Sequence, residues 1–114
     1  MTTQEVATMV AEIGIPSAYY QFPDNTEQAT PFVCFFYSGD NDMKADDSNY
    51  RKIEHLIIEL YTDDKDFALE QTVESVLASH GMVWTREEEW IESERMLEVV
   101  YEMDVILEVT TNGE

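Results

Sequence analysis

Positive charge is scarce in this chain. Six lysines and arginines stand against 25 aspartates and glutamates in 114 residues, a formal net charge of −19. Such a surface does not bind a nucleic-acid backbone, because phosphate binding needs Lys and Arg to displace counterions. It avoids anionic membranes for the same reason. Cysteine occurs once, at Cys34, so no internal disulfide can form and a reducing, cytosolic compartment is the default. No basic segment leads into an apolar run at the N-terminus, so no signal peptide is expected. No apolar stretch approaches the ~20 residues of a membrane span. The chain also lacks a glycine-rich phosphate loop, a CxxC pair and an HExxH motif. The hydrophobic fraction is nevertheless 44%, so the acidity does not mean disorder, and the length predicts one domain around one modest core.

Hydrophobic periodicity supplies the elements. Val6, Met9, Val10 and Ile13 fall at i, i+3, i+4 and i+7, one stripe of a helix over residues 2–13. Thr2 followed by Glu5 matches a capping box, and Gly14 then Pro16 stop the helix. Residues 17–22 read as a short aromatic strand. Residues 32–37 (FVCFFY), bounded by Pro31 and Gly39, read as a central strand buried on both faces. Residues 38–48, rich in Asp with Gly and Asn, form the most loop-like segment. A long strand spans 49–62, with Leu56, Ile58 and Leu60 on one face and Ile53, His55, Ile57, Glu59 and Tyr61 on the other. Asp66 caps a second helix, residues 67–80, that ends at Gly81. Two closing strands follow, about 82–90 and 96–109, joined by a turn at 91–95. Leu97, Val99, Tyr101, Met103, Val105, Leu107 and Val109 alternate with polar residues, the mark of one buried face. The order α-β-β-β-α-β-β predicts a single α+β domain, an antiparallel or mixed sheet with both helices packed on one face. Residues 110–114 read as a frayed tail. Strands of about 12 residues reach ~40 Å, more than so small a core needs, so one end of the sheet is expected to project and pair with a neighbouring subunit.

Catalytic chemistry finds little support, and no enzyme is expected. His55 lies mid-strand and His80 at a helix end, where a cation interacts favourably with the helix dipole; neither has a Cys, Ser or second His at a catalytic spacing. Cys34 sits in the most apolar run, where burial raises a thiol's pKa and makes it inert. Asp40, Asp42, Asp46 and Asp47 resemble a hard-cation loop. The EF-hand pattern fails, however, with Lys44 at a ligand position, Ala45 where Gly is required and Arg51 where the bidentate Glu belongs. No metal or other cofactor is expected. Trp84, Trp90, Tyr19 and Tyr20 are either core residues or interface anchors.

The acidity is uneven. Residues 1–57 carry 3 basic and 9 acidic groups, net −6, and residues 58–114 carry 3 and 16, net −13. Its densest part is Glu87, Glu88, Glu89, Glu92 and Glu94. In a strand Glu87 and Glu89 share one face and Glu88 takes the other, either as a charged guard on a sheet edge or as a surface turned to a partner or a lumen.

Five segments occur in a suggestive order and spacing: Ala18-Tyr19-Tyr20-Gln21-Phe22-Pro23, Pro31-Phe32-Val33-Cys34-Phe35-Phe36-Tyr37, Ile58-Glu59-Leu60-Tyr61-Thr62-Asp63, Ile91-Glu92-Ser93-Glu94 and Val99-Val100-Tyr101-Glu102-Met103. Over about residues 2–109 the chain resembles the small tail-completion, tail terminator and head–tail joining proteins of Gram-positive long-tailed phages and prophages. The resemblance implies a sheet flanked by two helices and a structural virion protein, with no enzyme activity and no cofactor. It implies a homo-oligomeric ring, typically hexameric, that caps the tail tube, stops its growth and meets the head connector. Such a protein would assemble in the host bacterial cytoplasm and reside in the tail or neck of the virion. DNA would pass through the ring without being bound. On this reading the segment with Asp40, Asp42, Met43, Asp46 and Asp47 is an assembly loop that orders on docking. Glu87, Glu88, Glu89, Glu92, Glu94, Glu98 and Glu102, with Asp104, are candidates for a lumen or partner surface. Two rivals remain: an acidic mimic of DNA that inhibits a DNA-processing enzyme, and an acidic host protein unconnected with phage. Mimicry wants carboxylates spaced like phosphates along an extended face, whereas here they partly alternate with core residues.

Overall fold

The computed structural model describes residues 1–22, 28–38 and 51–108. The predicted assembly loop and the C-terminal tail fall outside them. The elements are α1 (Thr3–Ala11), β1 (Ser17–Tyr19), β2 (Phe32–Tyr37), β3 (Arg51–Thr62), α2 (Phe67–Ser79), β4 (Thr85–Ile91) and β5 (Met96–Glu108). The order is the expected one. The five strands form one sheet in the order β1-β2-β3-β5-β4. β1 runs parallel to β2, and all other pairs are antiparallel, so the sheet is mixed.

Local chemistry sets the element ends. At α1 the capping box is complete: the Glu5 amide donates to Thr2 Oγ1 at 3.1 Å and the Thr2 amide to Glu5 Oε1 at 2.8 Å. Gly14 takes φ +91°, where a side chain would be strained, and turns the chain out of the helix. β1 stops three residues short of its expected end, because Tyr20 adopts φ +73°. α2 starts at Asp66, whose side chain accepts from the Leu69 amide at 3.0 Å. β4 starts at Thr85, later than expected, and the β4–β5 turn closes without glycine by placing Arg95 at φ +52°.

Both helices lie on one face of the sheet. Val6, Met9, Val10 and Ile13 from α1 and its end, and Val73 and Leu77 from α2, join Val33, Phe35, Leu56, Ile58, Leu60, Val99, Tyr101 and Met103 in a single core. Each fully buried aliphatic side chain there contributes ~1.5–3 kcal/mol relative to exposure. Among the described residues no helix covers the opposite face of β2. Phe32 and Phe36 are half-buried and Cys34 is buried at 7% exposure, so β2 is covered on both sides, by helices on one and by aromatic neighbours on the other. The long ribbon is present. β3 and β5 pair over twelve positions from Arg51↔Glu108 to Thr62↔Leu97, while β2 reaches only Leu56 and β4 only Glu102. The β3–β5 pair therefore projects beyond both neighbours.

A charged network locks α2 to the sheet. Glu70, 5% exposed, meets Lys65 Nζ at 3.0 Å and Arg86 Nη2 through the same oxygen. Arg86 also approaches Glu74 at 3.6 Å and Glu88 at 2.9 Å, and the buried Tyr101 hydroxyl donates to Glu74 at 3.1 Å. Breaking such a pair from one side strands a buried charge. Arg86→Leu is expected to cost ~1–3 kcal/mol in urea unfolding. The double variant Arg86→Leu with Glu70→Leu should recover most of that loss.

Candidate functional site

The parity of the strands builds a second, open face. Leu56, Ile58 and Leu60 point to the helices, so Ile53, His55, Ile57, Glu59 and Tyr61 point away from them. Across β5, Glu98, Val100, Glu102, Asp104 and Ile106 share this face. Glu89 lies opposite Glu98, and Glu87 opposite Val100, so both join it from β4. From β2 come Phe32, Cys34 and Phe36.

This face has two halves. On the β2 side the rings pack together: Phe22 meets Phe32 edge-on at 5.5 Å, Phe32 stacks on Tyr61 at 4.9 Å, and Tyr20 stacks on Phe36 at 5.6 Å. Tyr20 remains 66% exposed. On the β3–β5–β4 side the carboxylates gather. The Tyr61 hydroxyl lies 2.8 Å from Glu98 and 3.0 Å from Glu59, and its single proton serves one of them at a time. Burial first, then the neighbouring Glu98 charge, pushes the Glu59 carboxyl above the usual carboxylate range. Burial and the two adjacent carboxylates likewise push the Tyr61 phenol far above its ordinary value. Cys34 stands opposite Glu59 in the register, and burial, then that charge, raises its thiol, in keeping with an unreactive cysteine.

His55 spans two acids, with Nε2 at 2.9 Å from Glu102 and Nδ1 at 3.0 Å from Asp104. Both ring nitrogens face acceptors, so the ring satisfies both only as imidazolium. The hydrogen bonds to Asp104 and then Glu102 raise its pKa above the ordinary value. His80 caps the end of α2, as expected, and its Nε2 reaches Glu12 at 3.0 Å.

The acidic run 87–94 does not make one surface. Glu87 and Glu89 stand on the open face with Glu98 and Glu102. Glu88 turns to the helix side, where the hydrogen bond from Lys65 at 2.6 Å holds its carboxyl below the usual range. Glu92 and Glu94 are exposed in the β4–β5 turn, and Glu92 accepts from Trp90 Nε1 at 3.0 Å. Tyr19, Tyr20 and Trp90 are at least 44% exposed, whereas Trp84 packs against the core. The acidic run in the sequence does not mark Glu59 and His55, which join this face because the parity of β3 pairs with that of β5.

A cleft of about 850 Å³ opens on the helix side beneath the projecting ribbon, lined by Tyr19, Tyr37, Lys52, Glu54 and Leu107 among others. The Tyr37 hydroxyl is buried there without a hydrogen-bond partner among the described residues, and burial pushes its pKa up to about 12. Among the described residues no group of three or more His, Cys, Asp or Glu side chains is arranged to hold a metal ion. No described helix is long and apolar enough to cross a membrane.

The chain matches no family model, and no curated protein matches it. Among solved structures it is similar in fold to a chain in the virion of a native gene transfer agent particle. That similarity has a TM-score of 0.55 at 13% identity and covers 93% of this chain and 88% of the other.

The His55 geometry predicts a pH effect with a definite sign. A pKa raised in the folded state stabilises fully below the unfolded value, ~6.5, and that stabilisation is lost as pH rises through the folded pKa. The melting-temperature gap between the parent and His55→Gln is expected to be larger at pH 6 than at pH 9. An equal gap at both would dismiss the imidazolium.

Proposed function

We propose that this chain is a structural virion protein of the tail-completion or head–tail joining type, from a long-tailed phage or prophage. It forms a ring, six copies in the simplest arrangement, that caps the tail tube and joins it to the head. It carries out no catalysis and needs no cofactor. It assembles in the bacterial cytoplasm and stays in the neck of the particle. The reading rests chiefly on one observation, the shared fold with a chain of a gene transfer agent virion along nearly its whole length. The projecting β3–β5 ribbon supports it, because two strands that extend past β2 and β4, with Met1 bonded along the end of β5, offer a lever for contacts between subunits. Net charge supports it too, since a protein that surrounds passing DNA must not hold its phosphates. The DNA-mimic alternative fits the open face less well, because Ile53, Ile57, Val100 and Ile106 interrupt its carboxylates.

Deleting the gene from the genome that encodes the particle, then imaging the products by electron microscopy, tests this function. Headless tails, of normal or excessive length, are the expected outcome. Intact infectious particles would refute it.

A further inference from the structure

The open face of the sheet is poorly matched to solitude. Glu59, Glu87, Glu89, Glu98, Glu102 and Asp104 lie on it, with Glu108 at its end beside the N-terminal ammonium of Met1. Among the described side chains His55 is the one cationic group there, held by Glu102 and Asp104. Glu89 and Glu98 are directly opposite each other across β4 and β5, an arrangement that destabilises a sheet. The Glu59 carboxyl is held against its own ionisation by burial and by Glu98. The free chain therefore spends stability on this face. Between the carboxylates stand apolar side chains, with Ile53 opposite Ile106 and Val100 opposite Glu59; Ile106 is 51% exposed. A wall facing only water has no use for that interleaving, whereas protein interfaces combine an apolar centre with polar groups.

The charge inventory decides what covers the face. Of the lysines and arginines whose side chains are described, Lys52, Lys65 and Arg86 are paired within the chain, and Arg95 is largely exposed. Lys52 pairs with Glu54, Lys65 with Glu70 and Glu88, Arg86 with Glu70, and Arg95 lies near Glu92. A second copy would bring another −19. The face spans on the order of 600–800 Å², from ~40 Å strands spaced ~4.8 Å apart, close to one partner's share of a standard interface. We infer that the open face of the sheet is a docking surface for a basic surface of a different protein, one that sets Lys or Arg side chains between apolar residues to meet Glu59, Glu98 and Glu102. The inference does not depend on the ring or on tail termination, and its test involves neither.

The probe is a synthetic 12-residue peptide with arginine and valine alternating, titrated into the protein at 150 mM salt by calorimetry and by amide NMR. Two triple variants separate the face from bulk charge. Glu59→Gln/Glu98→Gln/Glu102→Gln removes three charges from the face, and Asp63→Asn/Asp64→Asn/Glu94→Gln removes three from turns. Saturable binding is expected, with shifts centred on β3 and β5, weakened at least tenfold by the face variant and less than twofold by the turn variant. The face variant should keep the parent's circular-dichroism spectrum and amide dispersion under the titration conditions, which keeps a binding loss from being a folding loss. Equal weakening by both variants, shifts centred on α1 or α2, or no saturable binding to the parent would overturn the inference. So would concentration-dependent self-association abolished by the face variant, which would make a second copy the occupant.

Discussion

The register between β3 and β5 is the constraint on which the rest of the molecule depends. Twelve residue pairs hold it, from Arg51↔Glu108 to Thr62↔Leu97. Because side chains alternate, a slip of one residue would carry Leu56, Ile58 and Leu60 to the open side and bring His55, Glu59 and Tyr61 under the helices. The core forbids it, since Leu56, Ile58, Leu60, Val99 and Tyr101 are all fully buried in one cluster. The same alternation that packs the helices thus assembles the carboxylates on the far side.

The two faces handle charge in opposite ways. Under α2, Glu70 is buried with Lys65 and Arg86 beside it, and Glu88 and Glu74 complete the arrangement around Arg86. Attraction there compensates desolvation, as a buried carboxylate requires. On the open face Tyr61 stands between Glu59 and Glu98 with a single hydroxyl proton, and repulsion between the carboxylates is only partly relieved. The few described cations thus concentrate on the helix side, where burial makes them most necessary.

Much of the architecture was legible in the residues. The stripe of Val6, Met9, Val10 and Ile13, the Thr2–Glu5 capping box and the alternation of β5 are local signals, and each appears where periodicity placed it. The ends were harder, because they depend on backbone conformations that ordinary side chains can adopt. Tyr20 and Arg95 take positive φ without being glycine, and so shortened β1 and closed the β4–β5 turn unannounced. The candidate surface was half legible. Glu87, Glu89, Glu98 and Glu102 do share a face, but Glu88 leaves it and Glu59 joins it. A run of acids in sequence does not reveal its division between two sides of a sheet until the partner strand's register is known. The aspartate loop at 40–47 lies outside the described residues.

The two edges of the sheet are guarded by unlike means. At one, Tyr20 turns the backbone away after three residues of β1, leaving too few amides and carbonyls to template an incoming strand. At the other, β4 offers seven residues, all but Ile91 exposed, and three consecutive glutamates defend them. Length is a permanent barrier and charge a conditional one. The β1 edge refuses every strand alike, whereas the β4 edge refuses only those that arrive without positive charge.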